Sequence, residues 1–179
     1  GTAYQTYAAS TAMISFLLGP TVVSMALPIW NQRATIRRLA LPIGLALSAG
    51  AVTAVVSAVG VVWAFGAPVE ILASIAPRAT TTPVGMAVAE TLGGIPALAA
   101  VIVIFSGVFG AMVATPLLNR IGVLDYRARG FAVGVSAHGA GAARAFEVSP
   151  VAGAYAGVGM ALNAVATATI LSIVAALIR

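Results

Sequence analysis

Two short stretches hold most of the side chains in this chain that could recognise a small ligand. The first runs through Arg78, Thr80, Thr81, Thr82 and Pro83, with Glu90 following; the second runs from Ser136 through His138, Gly139 and Gly141 to Arg144, with Glu147 three residues on. Three hydroxyls beside a proline describe an interrupted helix, whose free N–H groups and positive dipole end favour an anion. In the second stretch, small residues allow close approach to the backbone and Arg144 offers a bidentate fork for a carboxylate. His138, the single histidine, could donate a hydrogen bond or carry a proton near neutral pH. The chemistry expected is recognition of a small carboxylate by Thr81, Thr82, Pro83, Ser136, His138, Gly139, Gly141 and Arg144. Glu90 and Glu147 would orient Arg144 or carry a coupling proton.

Each residue also has a plainer reading. Threonines in membrane helices often bond only to their own helix or a neighbour. Arg144 could simply pair with Glu147 or Glu90, His138 could be a packed interior hydrogen-bonder, and Arg78 could snorkel to an interface. Catalysis has little to stand on. With one histidine and no cysteine there is no His/Cys metal cage, no phosphate-binding loop or nucleophile elbow occurs, and Ser136 and His138, two apart on a helix, point different ways. Neither an enzyme nor a cofactor is expected.

The elements that must position these residues lie in lipid. Hydrophobic residues make up 61% and charged residues 7% of the 179, with a mean hydropathy of +1.08, whereas soluble domains carry about 25% charged residues. The net charge of +5 comes from arginines in short loops, without the basic face and interleaved aromatics of a nucleic-acid binder. No cleavable signal is visible in the first ten residues, and the abrupt opening suggests a trimmed N-terminus.

About 20 apolar residues span a bilayer, which predicts spanning segments over 11–30, 39–65, 95–118 and 151–178, the first broken by Gly19-Pro20 and Pro28. Six of the nine arginines lie in 31–38 and 119–129, so both loops should be cytoplasmic. The polar stretch 71–94 must then begin and end outside, which predicts a re-entrant hairpin with its tip at 80–83. A shift of 57 residues puts Glu90 on Glu147 and 40–64 on 97–121. Two courses are open to 130–149: re-entry from the cytoplasm, making helix-plus-hairpin units 39–94 and 95–149 inverted repeats, or a broken helix that crosses fully. The fold expected is an all-α polytopic membrane protein forming one transmembrane domain over 1–179, with interrupted-helix inverted repeats and an elevator-like carrier architecture. Its glycine-faced helices would also allow a homodimer.

Three motifs carry a family resemblance: Phe16-Leu17-Leu18-Gly19-Pro20 with Pro28; Thr81-Thr82-Pro83 with Glu90 and 93–98; and Ala128-Arg129-Gly130 with 138–145. Together they resemble the LrgB/CidB family of bacterial membrane proteins over essentially the whole chain. Ala142 stands where the family pattern has a threonine, and the apolar sequence usual before the first motif is missing. The resemblance implies a multi-pass protein of the bacterial cytoplasmic membrane acting beside a small LrgA/CidA-like membrane partner. It implies two functional accounts. One is antiholin-like control of murein hydrolase export and lysis. The other, through a plastid relative that exports glycolate and glycerate, is carriage of small 2-oxo or 2-hydroxy monocarboxylates such as pyruvate, glycolate or lactate.

Overall fold

The computed structural model describes residues 30–178, with positions 13, 16 and 20 standing singly before them. The segment expected over 11–30 otherwise lies outside the described residues. Seven helices and no strand occur among the described residues: α1 (Arg33–Arg38), α2 (Ala40–Ala64), α3 (Val69–Ile75), α4 (Thr82–Thr91), α5 (Pro96–Arg120), α6 (Tyr126–Val148) and α7 (Pro150–Ile178). Three of them, α2, α5 and α7, are long and apolar enough to cross a membrane, close to the expected 39–65, 95–118 and 151–178. Their outer faces are what a water-soluble protein would bury. Phe105, Phe109 and Met112 of α5 are 73%, 69% and 72% exposed, and lipid is the solvent that suits such a face. The described residues make an all-helical membrane protein.

The spanning helices end where glycine permits it. Gly66 after α2 and Gly122 after α5 adopt φ values of +74° and +73°. The residue beyond each glycine sends its N–H back to close the last turn, Ala67 to the Val62 carbonyl and Val123 to the Leu118 carbonyl, the Schellman arrangement.

Between α2 and α5 the chain folds back. The Ile95 N–H donates to Ser74 Oγ at 2.8 Å and Gly94 packs on the Ala73–Ser74 backbone, closing the base of a hairpin made by α3 and α4. Gly85 packs on Thr80 and the Pro77 carbonyl near the crown, residues 76–81. The expected hairpin is thus the course taken, but its crown falls at 76–81 and not at the expected 80–83, because Thr82 and Pro83 already open α4.

The α6 helix also turns back. His138 breaks it with φ 39° and ψ −128°. Before the break, Gly130 and Gly134 pack on the backbone of Ala152 and Ala156 in the same order, so this limb runs parallel to the start of α7. After it, Phe146 lies on Gly153, and Gly141 touches Val133, eight residues back. In a continuous helix residues eight apart would be about 12 Å from each other. Of the two courses open to 130–149, the structure takes the one that returns to its own side.

The two hairpins enter from opposite ends. Ile36, Ile43 and Leu47 pack with Phe131 and Val158, and the Arg129 guanidinium donates to Asn119 Oδ1 at 2.7 Å and the Val123 carbonyl at 3.1 Å. The arginine-bearing segments 33–38 and 120–129 therefore share one end. Val55 and Val59 pack with Val88 and Leu92 at the other. Because the chain has no cysteine, this arrangement can be read directly. Ala67→Cys and Leu124→Cys, introduced one at a time, should react with an impermeant maleimide from opposite faces of oriented vesicles. Labelling of both from one face would overturn the arrangement.

Candidate functional site at the meeting of the two crowns

Asp125 starts the second hairpin as an N-cap. Its carboxylate accepts from the Arg127 N–H at 2.7 Å and from the Arg127 guanidinium at 2.7 Å, and those bonds push its pKa down to about 2. The limb that follows carries the chain inward to His138. A backbone of φ 39° is one that residues with a Cβ rarely adopt, at a cost on the order of 1–3 kcal/mol. Two contacts hold it. The imidazole is 5% exposed and its Nε2 lies 3.0 Å from the Val103 carbonyl, while the ring lies against Gly107, where a Cβ would collide with it. A carbonyl only accepts, so Nε2 carries the proton in this bond.

Non-helical crowns leave backbone carbonyls without their i+4 donors, and at membrane depth these must be satisfied by protein. Thr80 does this within the first crown, donating to the Pro77 carbonyl at 2.7 Å, and two polar side chains of the spanning helices do it from outside. Asn163, wholly buried at the middle of α7, donates through Nδ2 to the Ala79 carbonyl of the first crown at 2.8 Å and to the Val135 carbonyl beside the second at 3.1 Å. Its Oδ1 accepts from Thr167 at 3.2 Å, so the amide is in full use. Ser106 of α5 lies 3.0 Å from both the Arg78 carbonyl and the Val103 carbonyl, and its single proton is shared between them. The crowns therefore meet at one depth, between the centres of α5 and α7.

A shift of 57 residues relates these parts. It carries the start of α3 at Val69 to the start of α6 at Tyr126, the end of α4 at Thr91 to the end of α6 at Val148, and the pair Arg78–Ser106 to the pair Val135–Asn163. On this register Thr81 corresponds to His138.

The residues expected to form a site divide accordingly. Thr81 is 6% exposed and stands as N-cap of α4 without making a side-chain cap bond. Its hydroxyl is a buried polar atom with no hydrogen-bond partner. Thr82 and Pro83, half-buried, open α4, and His138 and Gly139 sit at the second crown. Gly141 is buried against Val133 and Ala137, a packing role. Ser136 is exposed and donates to the Ala132 carbonyl of its own helix at 2.8 Å. Arg144 lies six residues beyond the break, toward the base of the hairpin, paired with Glu147 at 2.6 Å and exposed. With Thr115 and Arg129 it lines a cavity of about 20 Å³, room for about one water. Glu90 is exposed near the end of α4, and among the described residues it has no ion pair with Arg144. No cluster of three or more metal-ligating side chains occurs among the described residues.

Asn163 and Ser106 were not singled out by motif reasoning. The signals available were that Asn163 is the one amide in the last apolar run and that the 57-residue shift lays Ser106 upon it.

The whole arrangement falls within one family's sequence pattern, since the model of the LrgB-like family matches residues 1–177. The chain belongs to the LrgB-like family. It is 32% identical over 164 residues to the uncharacterized protein YwbG of Bacillus subtilis, covering 92% of this chain and 73% of that one. It is 28% identical to the holin-like protein CidB of Staphylococcus epidermidis, over 97% of this chain and 76% of the relative. With the antiholin-like protein LrgB of Bacillus mycoides the identity is 29%, over 94% and 73%. No solved structure matches this LrgB-like chain.

Asn163→Ala should lower the melting temperature of the detergent-solubilised protein, because the loss leaves two buried carbonyls unpaired at about 1–3 kcal/mol each. Asn163→Asp should be worse, since a carboxylate would face those same carbonyls. An unchanged melting temperature in both variants would remove Asn163 from its role as the tie between crowns.

Proposed function

We propose that this protein is a secondary carrier of small 2-oxo or 2-hydroxy monocarboxylates of the pyruvate, glycolate or lactate type. The observation that carries the reading is the meeting of two hairpin crowns at mid-depth, tied by one buried amide. Carrier sites form where interrupted helices end near the midplane, with half-helix N-termini turned toward an anion. Here α4 begins at Thr82, beside the unpartnered Thr81 hydroxyl, and the second limb of α6 begins just past His138.

In this reading, units 39–94 and 95–149 are inverted repeats, a view supported by the 57-residue correspondence of helix ends and hydrogen bonds. The substrate lies against Thr81, Thr82, Pro83, His138 and Gly139. Arg144, with Glu147, belongs to the approach from the arginine-bearing end, which faces the cytoplasm of a bacterial inner membrane. Gly141 and Ser136 shape the second hairpin, and Glu90 stands at the mouth of the first. A small LrgA/CidA-like membrane protein is the partner the family resemblance supplies.

The relatives' names, holin-like and antiholin-like, suit a second reading equally: a regulator of murein hydrolase export, as the family resemblance implies, without a carrier site. Proteoliposomes separate the two. With or without the LrgA-like partner, the purified protein should take up labelled pyruvate, glycolate or lactate with saturation while retaining a trapped dye. Dye release without saturable uptake would sink the carrier and favour the holin-like alternative.

A further inference from the structure

Arg78 sits in the crown of the first hairpin, between the end of α3 and the N-cap of α4. The Ser106 hydroxyl that bonds its carbonyl is ten residues along α5 from Pro96, about 15 Å in and half the thickness of a bilayer core. A guanidinium carried at that depth requires a counter-charge or water. Among the described residues no carboxylate pairs with it. The ion pairs among the described residues are Asp125–Arg127 and Arg144–Glu147. Glu70 and Glu90 lie at the far ends of α3 and α4, near the base of the hairpin. Arg78 is half-buried and, among the described residues, its guanidinium donates no hydrogen bond to a protein group.

Three residues on, Thr81 presents its buried hydroxyl without a partner, at the N-terminus of a ten-residue helix whose first N–H groups have no carbonyl behind them. A cation, an orphaned donor and a helix N-terminus thus fall within residues 78–82 at one crown. We propose that Arg78 and Thr81 form the carboxylate subsite of the protein, taking ligands with a single carboxylate. This rests on the carrier reading for its place in transport. The charge count sets the selectivity: one guanidinium neutralises one carboxylate, and a second carboxylate would be left at mid-depth without a cation. Arg144, already paired with Glu147, is excluded from this role.

Ligand-induced thermal stabilisation of the purified full chain tests binding, and uptake into proteoliposomes tests transport. Pyruvate should raise the melting temperature of the wild-type protein while malonate, a dicarboxylate of similar size, does not. Arg78→Gln should lose pyruvate affinity by at least about tenfold, as expected for a lost charged hydrogen bond, and Arg144→Gln should keep it within about twofold. Thr81→Val, which removes only the orphaned hydroxyl, should weaken pyruvate several-fold without lowering the ligand-free melting temperature, and it carries the test should Arg78→Gln fold poorly. Wild-type protein that ignores pyruvate, or an Arg78→Gln or Thr81→Val protein that binds it as wild type does, overturns the subsite. Stabilisation by pyruvate without uptake leaves the subsite standing and rejects the carrier.

Discussion

Backbone groups released from a helix inside a bilayer must find partners in the protein, and this constraint governs the rest of the structure. A soluble protein could leave the carbonyls of a turn to water. Here each crown breaks a helix at mid-depth, and the carbonyls the break releases are met either within the crown, as Pro77 is by Thr80, or by a side chain from a spanning helix. Asn163 serves both crowns with the two protons of one amide. Its position in α7 therefore sets how close the crowns come, and the placement of Thr81 and His138 follows from it.

The same geometrical problem is met twice, with different chemistry. On the 57-residue register a serine stands at 106 and an asparagine at 163. A hydroxyl has one proton, which Ser106 divides between two carbonyls, whereas the amide has two and can bridge the hairpins. The break residues differ too. Thr81 keeps ordinary extended backbone with φ −75° and ψ 153°, so its crown is made by an unwound loop. His138 makes its turn in a single residue at φ 39°, and the imidazole bond to Val103 offsets part of the strain. Close packing makes room for this. Gly130, Gly134 and Gly159 let the second hairpin press against the α7 backbone where any Cβ would collide, the small-residue contact on which membrane helices rely.

Much of this was legible in the sequence because lipid leaves few options. Apolar runs of membrane length locate three helices to within a few residues, and the arginine loops give an expected side for the end of α5. The hairpin at 71–94 followed from topology alone, since its two flanking helices demanded an even number of crossings. The course of 130–149 did not, because periodicity reports a helix but not a reversal within it, and a histidine in a glycine-like backbone carries no composition signal. Arg144 drew attention for its type and spacing. Its direction along the hairpin, toward the base and Glu147, is decided by the turn at His138, which spacing cannot register. Asn163 was hidden for the converse reason: one amide in a long apolar run looks like a packing accident until its two acceptors are brought to it.

The pattern of ties also bears on what could move. The crowns are bonded to α5 through Ser106 and His138 and to α7 through Asn163, so separating either hairpin from these helices would strand carbonyls in lipid. The α2 helix is held differently. Of its 25 residues only Ala51 and Ala58 are buried, and its contacts, such as Gly50 with Val135 and Val55 with the Val88 cluster, are apolar and can slide without leaving a polar group unpaired. Under the carrier reading, the body that travels is therefore both hairpins with α5 and α7 as one piece, and the surface it slides upon includes α2. An alternative in which one hairpin opens alone must break bonds of the Asn163 amide in a medium that offers no replacement, and that asymmetry of cost favours motion of the whole.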